Sequence, residues 1–136
     1  MSSDEQKPYL KHFNYSEFDS PDEPGSGKNM QDSTVEMLDN ARDMAGVPFK
    51  INSGFRTESH NKEVGGVPES AHTRGYAADI NLEGFSDNDV LRVICSCIIA
   101  GFRRIGYSGG SFVHVDNDPD KPHNSSGLIT WDYSNE

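Results

Sequence analysis

The chain of 136 residues has no long apolar run and contains only two cysteines. Without a run of about 18 apolar residues it cannot form a transmembrane helix. Cys95 and Cys97 lie two residues apart in a predicted helix and so point to different faces, which argues against a disulfide between them. Their spacing also differs from the CxxC of thiolate zinc and redox sites. We expect two small buried side chains.

Basic side chains are also scarce. Lys and Arg number 12 against 22 Asp and Glu, and the formal net charge is −10. Because binding to phosphates requires a basic surface, we exclude a nucleic-acid partner, and by the same reasoning an anionic membrane surface. The excess acidic charge is typical of a solubilising surface.

The first residues, MSSDEQKPYLKHF, lack the basic start and apolar core of a secretory signal peptide. We therefore expect a protein made in the cytosol, without membrane insertion, that stays there or leaves by a route needing no such signal. The apolar fraction is only 33%, so the core is expected to be small and a bound metal would add to its stability. We expect a monomer.

The remaining pattern predicts an α+β fold, with helices packed on a small antiparallel sheet. Residues 1–29 form a polar N-terminal extension whose aromatics, in HFNYSEF, would dock on a single domain of residues 30–136. Helices are predicted over residues 31–45 and 87–100, with one or two helical turns in residues 57–64. Strands are predicted over residues 49–52, 76–82, 104–107 and 112–115, the last two joined by a Gly109-Gly110 hairpin.

Two short segments carry the residues of a candidate metal site. Residues 70–79 read SAHTRGYAAD, and residues 112–116 read FVHVD. His72, Asp79 and His114 are a ligand set that zinc accepts, and three protein ligands leave one tetrahedral position for water. Because side chains alternate along a strand, Asp79 and His114 both fall on polar faces and converge if their strands are neighbours. His12, His60 and His123 lie in polar segments and are weaker candidates.

Several segments resemble one peptidase family. They are SGFRT (53–57), His60-Asn61, VGGVPESAHTRGYAADI (64–80), GFRRIGY (101–107), FVHVD (112–116) and Trp131. The combination resembles the D-alanyl-D-alanine carboxypeptidase-like zinc peptidases, from about residue 9 to residue 131. These include peptidoglycan carboxypeptidases and phage L-alanyl-D-glutamate endolysins, and they share a fold with the hedgehog signalling domain.

The resemblance implies roles for individual residues. His72, Asp79 and His114 would bind Zn²⁺. Arg56 would hold a carboxylate or carbonyl of the substrate, for which a guanidinium is well suited. Ser70 would assist the substrate or cap the ligand loop, and Tyr107 would line the cleft or pack in the core. Trp131 is expected to pack against the site.

The general base is not evident from the resemblance. Many relatives have an acidic residue a few positions before the last ligand, but residues 108–113 here contain no carboxylate. Asp116 follows His114 by two residues on the same strand face. We expect it to act as the base or as a hydrogen-bonding partner of a ligand histidine.

By resemblance, the function is zinc-dependent hydrolysis of the peptidoglycan stem peptide, of the D-Ala-D-Ala carboxypeptidase or L-Ala-D-Glu endopeptidase type. A phage-encoded enzyme acting on a host cell wall fits this expectation, as does a bacterial cytosolic enzyme. The alternatives are a zinc-stabilised binding module without catalysis and a virion structural protein that keeps the fold for local wall digestion.

Overall fold

The computed structural model describes residues 7–121 and 129–132. Its helices are α1 (Asp32–Ala45), α2 (Glu58–Glu63) and α3 (Asp87–Ala100), and its strands are β1 (Ile51–Ser53), β2 (Ala77–Asn81), β3 (Arg104–Ser108), β4 (Phe112–Asp116) and β5 (Ile129–Asp132). Short 3-10 helices cover Tyr15–Phe18, Ser26–Asn29 and Ala71–Arg74. The predicted α+β class is confirmed. In this part of the chain, no helix is long and apolar enough to cross a membrane.

The five strands form one sheet in the order β1-β2-β4-β3-β5. All neighbouring pairs are antiparallel except β3 and β5, which run parallel. The predicted small antiparallel sheet is present in β1 to β4, and β5 adds a parallel edge because it joins the outer side of β3 instead of extending a hairpin. The four residues of β5, ITWD, alternate apolar and polar side chains, which is a strand signal that the sequence analysis did not use.

Local sequence signals account for α3 and for the hairpin of β3 and β4. α3 begins after Ser86, whose hydroxyl accepts a hydrogen bond from the Asp89 backbone N–H, and it ends at Gly101. β3 and β4 pair from Ser108 opposite Phe112, and Gly109 and Gly110 both have positive φ in the loop between them. The hairpin was predicted from these glycines.

The hydrophobic core lies between the helices and one face of the sheet. α1 packs against α3, and the core face of the sheet includes the fully buried side chains of Ala78, Ile80, Val113 and Val115. Phe13 and Phe18 from the N-terminal segment belong to the same core. The division of the chain at residue 29 stays a prediction, while the packing joins both parts through one core.

The two cysteines occupy different environments. Both are free, but Cys97 is buried and Cys95 is exposed, so the expectation of two buried side chains was wrong for Cys95. Burial raises the pKa of the Cys97 thiol to about 12, which keeps it protonated at neutral pH.

Gly75 connects the 3-10 helix that carries His72 to β2. Its φ of 80° lies in the left-handed region. A Cβ at this position would lie 2.4 Å from the Asn29 carbonyl oxygen, and the Gly75 carbonyl accepts a hydrogen bond of 2.9 Å from the Gln31 N–H. This close backbone approach fixes the loop that carries His72 against residues 29–31, and it requires glycine.

We expect Gly75→Ala to destabilise the protein more than Gly84→Ala. Gly84 has a similar φ of 82°, but a Cβ there would meet nothing within 4 Å. The left-handed conformation costs an alanine about 1 kcal/mol at either position. Overpacking against Asn29 adds roughly 1–3 kcal/mol at Gly75. Urea unfolding of both variants measures the difference, and equal losses would contradict the proposed constraint.

Candidate active site

The site is built on the sheet face opposite the core. Asp79 on β2 lies directly across from His114 on β4 in the strand register. The side chains meet, with His114 Nδ1 2.9 Å from Asp79 Oδ1. The predicted convergence of these two residues is confirmed, because residues on the same face of neighbouring strands lie side by side.

His72 reaches the same point from the 3-10 helix before β2. The Ser70 hydroxyl caps this helix by accepting a hydrogen bond from the His72 backbone N–H. His72 Nε2 then lies 3.3 Å from Asp79 Oδ1. One ligand atom from each of His72, Asp79 and His114 falls within 4.8 Å of the others, and all three residues are buried. The three residues predicted as ligands therefore form one cluster.

Hydrogen bonds outside the cluster fix which nitrogen each histidine turns inward. His72 Nδ1 lies 2.8 Å from the Gly54 carbonyl oxygen, which can only accept, so Nδ1 carries the proton. His114 Nε2 lies 2.6 Å from Asp116 Oδ2. In the neutral form of each ring, His72 Nε2 and His114 Nδ1 are therefore the nitrogens whose lone pairs are available to a metal ion beside Asp79.

This donor set fits a metal ion. Tetrahedral ligands at the usual zinc distances of about 2.0–2.1 Å lie roughly 3.3 Å from each other. The distance from His72 Nε2 to Asp79 Oδ1 is 3.3 Å, and that from His114 Nδ1 to the same oxygen is 2.9 Å. Two imidazole lone pairs and a carboxylate oxygen aimed at one point repel each other unless a cation or a proton lies between them.

The electrostatics of the buried cluster favour positive charge. Burial disfavours ionised Asp79, but attraction to His72 and hydrogen bonds with both histidines outweigh it and lower the pKa of the carboxyl. Burial likewise opposes charge on His114, but hydrogen bonds with Asp116 and Asp79 raise its pKa to about 9. For His72, the effect of burial exceeds the attraction to Asp79, so the pKa of the His72 imidazole is lowered. The ionised carboxyl of Asp79 thus places negative charge between the two imidazoles, which favours a cation at this point.

Arg56 lies beside the cluster and is held by three acceptors. Its Nε donates to Ser53 Oγ at 3.0 Å and its Nη1 to Asn61 Oδ1 at 3.1 Å. Its Nη2 lies 3.5 Å from Asp79 Oδ2. The guanidinium is therefore fixed next to the candidate ligands, with donors left over for another group.

A cavity of about 360 Å³ opens over these residues. Its wall includes Arg56, Ser70, the three candidate ligands and Asp116, and its rim includes the loop of residues 64–67, Arg104, Phe112, Lys121 and Trp131. Cavities of this size hold small molecules or short peptide segments. The site therefore combines a candidate set of metal ligands, the Arg56 guanidinium and a cavity that can hold a ligand.

The sequence profile of the Peptidase M15 family matches residues 11–116, a span that includes every candidate ligand. The chain belongs to this family. It is also 32% identical over 78 residues to the peptidoglycan L,D-endopeptidase MepK of Escherichia coli and to the protein of the same name from Shigella flexneri. The alignment covers 53% of this chain and 41% of each relative, so the chain matches about two fifths of their length.

The structure places three of the other residues expected at the site of this Peptidase M15 chain near the cavity, and a fourth away from it. Arg56 and Ser70 line the cavity, and the Trp131 ring packs 5.3 Å from the His114 ring. Tyr107 pairs with Val113 on β4 and packs against the core, and among the described residues it does not line the cavity. The expected role of Tyr107 in binding substrate is therefore not supported, because its position in β3 turns it to the core face.

Asp116 is engaged on two sides. Besides its contact with His114 Nε2, it lies 3.2 Å from Arg104 Nε, and its side chain is 1% exposed. The remaining histidines lie elsewhere. His12 pairs with Asp43, His60 lies near Glu63, and His123 falls outside the described residues.

Three groups that support the site were not predicted from the sequence. Arg104 pairs with Asp116 and stacks on Trp131, with its guanidinium carbon 4.9 Å from the ring centre. The alternation of β3 places Arg104 on the site face and would have identified it. The Gly54 carbonyl and the Asn61 amide act through tertiary contacts, for which the sequence has no periodic signal.

We expect His72→Ala and His114→Ala each to weaken Zn²⁺ binding by more than ~100-fold, since loss of a direct ligand costs more than loss of an outer partner. Competition with a chromogenic chelator at fixed pH measures the affinity. His60→Ala serves as the control and should bind like the parent protein. A His72 or His114 variant that keeps the parent affinity would remove that residue from the ligand set.

Proposed function

We propose that this chain is a zinc-dependent peptidase that hydrolyses a peptide bond in the stem peptide of peptidoglycan. The observation that carries the proposal is the convergence of His72 Nε2, Asp79 Oδ1 and His114 Nδ1 at the floor of a cavity. Membership of the Peptidase M15 family supports hydrolysis, and two imidazoles with one carboxylate are a zinc-type donor set. The name of the MepK relatives supports peptidoglycan as substrate.

A bound zinc ion would supply Lewis acidity toward the scissile carbonyl and would lower the pKa of a water in its open position. The protein residues would orient the substrate and the ligands. Arg56 is fixed beside Asp79 and would direct its remaining N–H groups to a carbonyl or carboxylate of the peptide. Ser70 holds the turn that carries His72 and lies at the cavity wall.

For Asp116 we propose the role of partner to His114. A carboxylate that accepts the outer N–H of a ligand histidine fixes its tautomer and raises its basicity. The contact of 2.6 Å to His114 Nε2, the contact to Arg104 and nearly complete burial support this role. Action as the general base would require a carboxylate oxygen that faces the reacting water.

The relatives favour the endopeptidase reaction. MepK is named an L,D-endopeptidase, and a cavity of about 360 Å³ has room for a short segment of a peptide. The D-Ala-D-Ala carboxypeptidase reaction is the second form, in which Arg56 would bind the terminal carboxylate. Both reactions use the same ligand set.

A metal-stabilised binding module without catalysis is the alternative function. One observation favours it. Among the described residues, the carboxylates that line the cavity are Asp79 and Asp116, and both are engaged by histidines. In that case the cavity would bind the peptide without cleaving it.

We expect the Zn²⁺-loaded protein to release new amino groups from purified peptidoglycan, with loss of activity in excess chelator and recovery on readdition of Zn²⁺. Mass spectrometry of the digested muropeptides identifies the cleaved bond. His72→Ala is the matched inactive control. Binding to peptidoglycan without new amino groups would support the binding module, and full activity in excess chelator would contradict a metal-dependent reaction.

Asp116→Asn separates the two roles of Asp116. For a partner of His114, Zn²⁺ affinity should fall about 10–100-fold, because the substitution removes the negative charge that supports the ligand. Turnover at saturating Zn²⁺ should then largely return. For a general base, turnover would stay abolished at every Zn²⁺ concentration. Chelator competition combined with an activity titration against added Zn²⁺ distinguishes the outcomes.

A further inference from the structure

Asn61 on α2 lies between Arg56 and the loop of residues 64–67. It is buried, with only 5% of its surface exposed. Its Oδ1 accepts from Arg56 Nη1 at 3.1 Å, and its Nδ2 donates to the Val67 carbonyl oxygen at 2.9 Å. The backbone carbonyl oxygen of Asn61 accepts a hydrogen bond from the Gly66 N–H at 2.8 Å. Asn61 therefore joins the guanidinium of the site to the rim of the cavity.

The partners of Asn61 determine the orientation of its amide. A guanidinium only donates and a carbonyl oxygen only accepts, so Oδ1 must face Arg56 and Nδ2 must face Val67. A side chain that offers one acceptor and one donor in these two directions satisfies both. Neither a hydrophobic residue nor a carboxylate can do so.

Gly66 lies against the same amide. A Cβ at Gly66 would lie 2.1 Å from Asn61 Oδ1 and 3.1 Å from Arg56 Nη1. The rim loop can approach the amide this closely only because residue 66 has no side chain. Any larger residue there would displace Asn61 from Arg56.

We propose that Asn61 is a positioning residue with two partners. It sets the direction of the Arg56 guanidinium, and it holds the rim loop of residues 64–67 at a fixed distance from that guanidinium. The proposal rests on the proposed function in assigning Arg56 to the substrate. Arg56 has a long side chain, and one of its three acceptors, Ser53, lies at the near end of the guanidinium. Asn61 fixes the far end, and with it the N–H groups that remain for the peptide.

Four variants test this role, with two readouts. We expect Asn61→Ala to lower kcat/KM for stem-peptide cleavage about 100-fold, the effect of misplacing a binding group by ~1 Å. The Nη protons of Arg56, resolved by NMR in the parent protein and assigned by their loss in Arg56→Lys, should merge into one exchanging signal. Asn61→Asp keeps the acceptor for Arg56 but loses the donor to the Val67 carbonyl, so it should retain the resolved signal and lose less kcat/KM than Asn61→Ala. His60→Gln, the adjacent control, should behave like the parent.

The contact with Gly66 adds a coupling test by thermal unfolding. Gly66→Ala should lower the melting temperature in the parent but much less in the Asn61→Ala background, where the obstructing amide is gone. Equal shifts in both backgrounds would overturn the packing argument. A resolved Arg56 signal in Asn61→Ala, or lost stability with unchanged kcat/KM, would overturn the positioning role.

The readouts separate this proposal from the proposed function. If the parent cleaves no peptidoglycan, the proposed function fails, and the NMR signal and the coupling still decide the role of Asn61. If Asn61→Ala does not fold, Gly66→Ala in the parent carries the NMR test, and retention of the resolved Arg56 signal there would overturn the proposal.

Discussion

The pairing of β2 with β4 is the constraint on which the site depends. It places Asp79 opposite His114, and the same register places Ala78 and Ile80 opposite Val115 and Val113 on the core face. A slip of one residue would bury the carboxylate among apolar side chains and expose the core. The hydrophobic effect that selects the register thus also assembles two of the three candidate ligands.

Around this pair, each charged group is held by a neighbour of opposite character. Asp79 lies between the two histidines and near Arg56, while Asp116 lies between His114 and Arg104. Buried carboxylates without such partners would be strongly destabilising. The polar network therefore fixes the ligand geometry and at the same time makes burial of so many ionisable groups possible.

The sequence predicted those parts of the site that follow strand periodicity. The face on which Asp79 or His114 lies follows from the alternation within its own strand, and the cap at Ser86 depends on the three residues that follow it. The site face of Arg104 also follows from strand alternation, although its pairing with Asp116 was not predicted. The contacts of Asn61 depend on which segments meet in space, for which a single sequence has no signal. Tyr107 was assigned to the site by resemblance although its strand position favours the core, and the parallel pairing of β5 depends on a distant connection. The clustering of the three candidate ligands could thus be predicted, whereas most of their supporting contacts could not.

The order of the strands has a consequence for the solution behaviour of the molecule. Within residues 7–121 and 129–132, the edges of the sheet are β1, with three residues, and β5, with four. Edge strands expose unpaired backbone groups that can recruit a strand from another molecule, and very short edges offer few such groups in register. The central strands β2 and β4, which carry Asp79 and His114, each pair with a neighbouring strand on both sides. The architecture that positions the ligands also gives a sheet with little capacity for edge-to-edge aggregation.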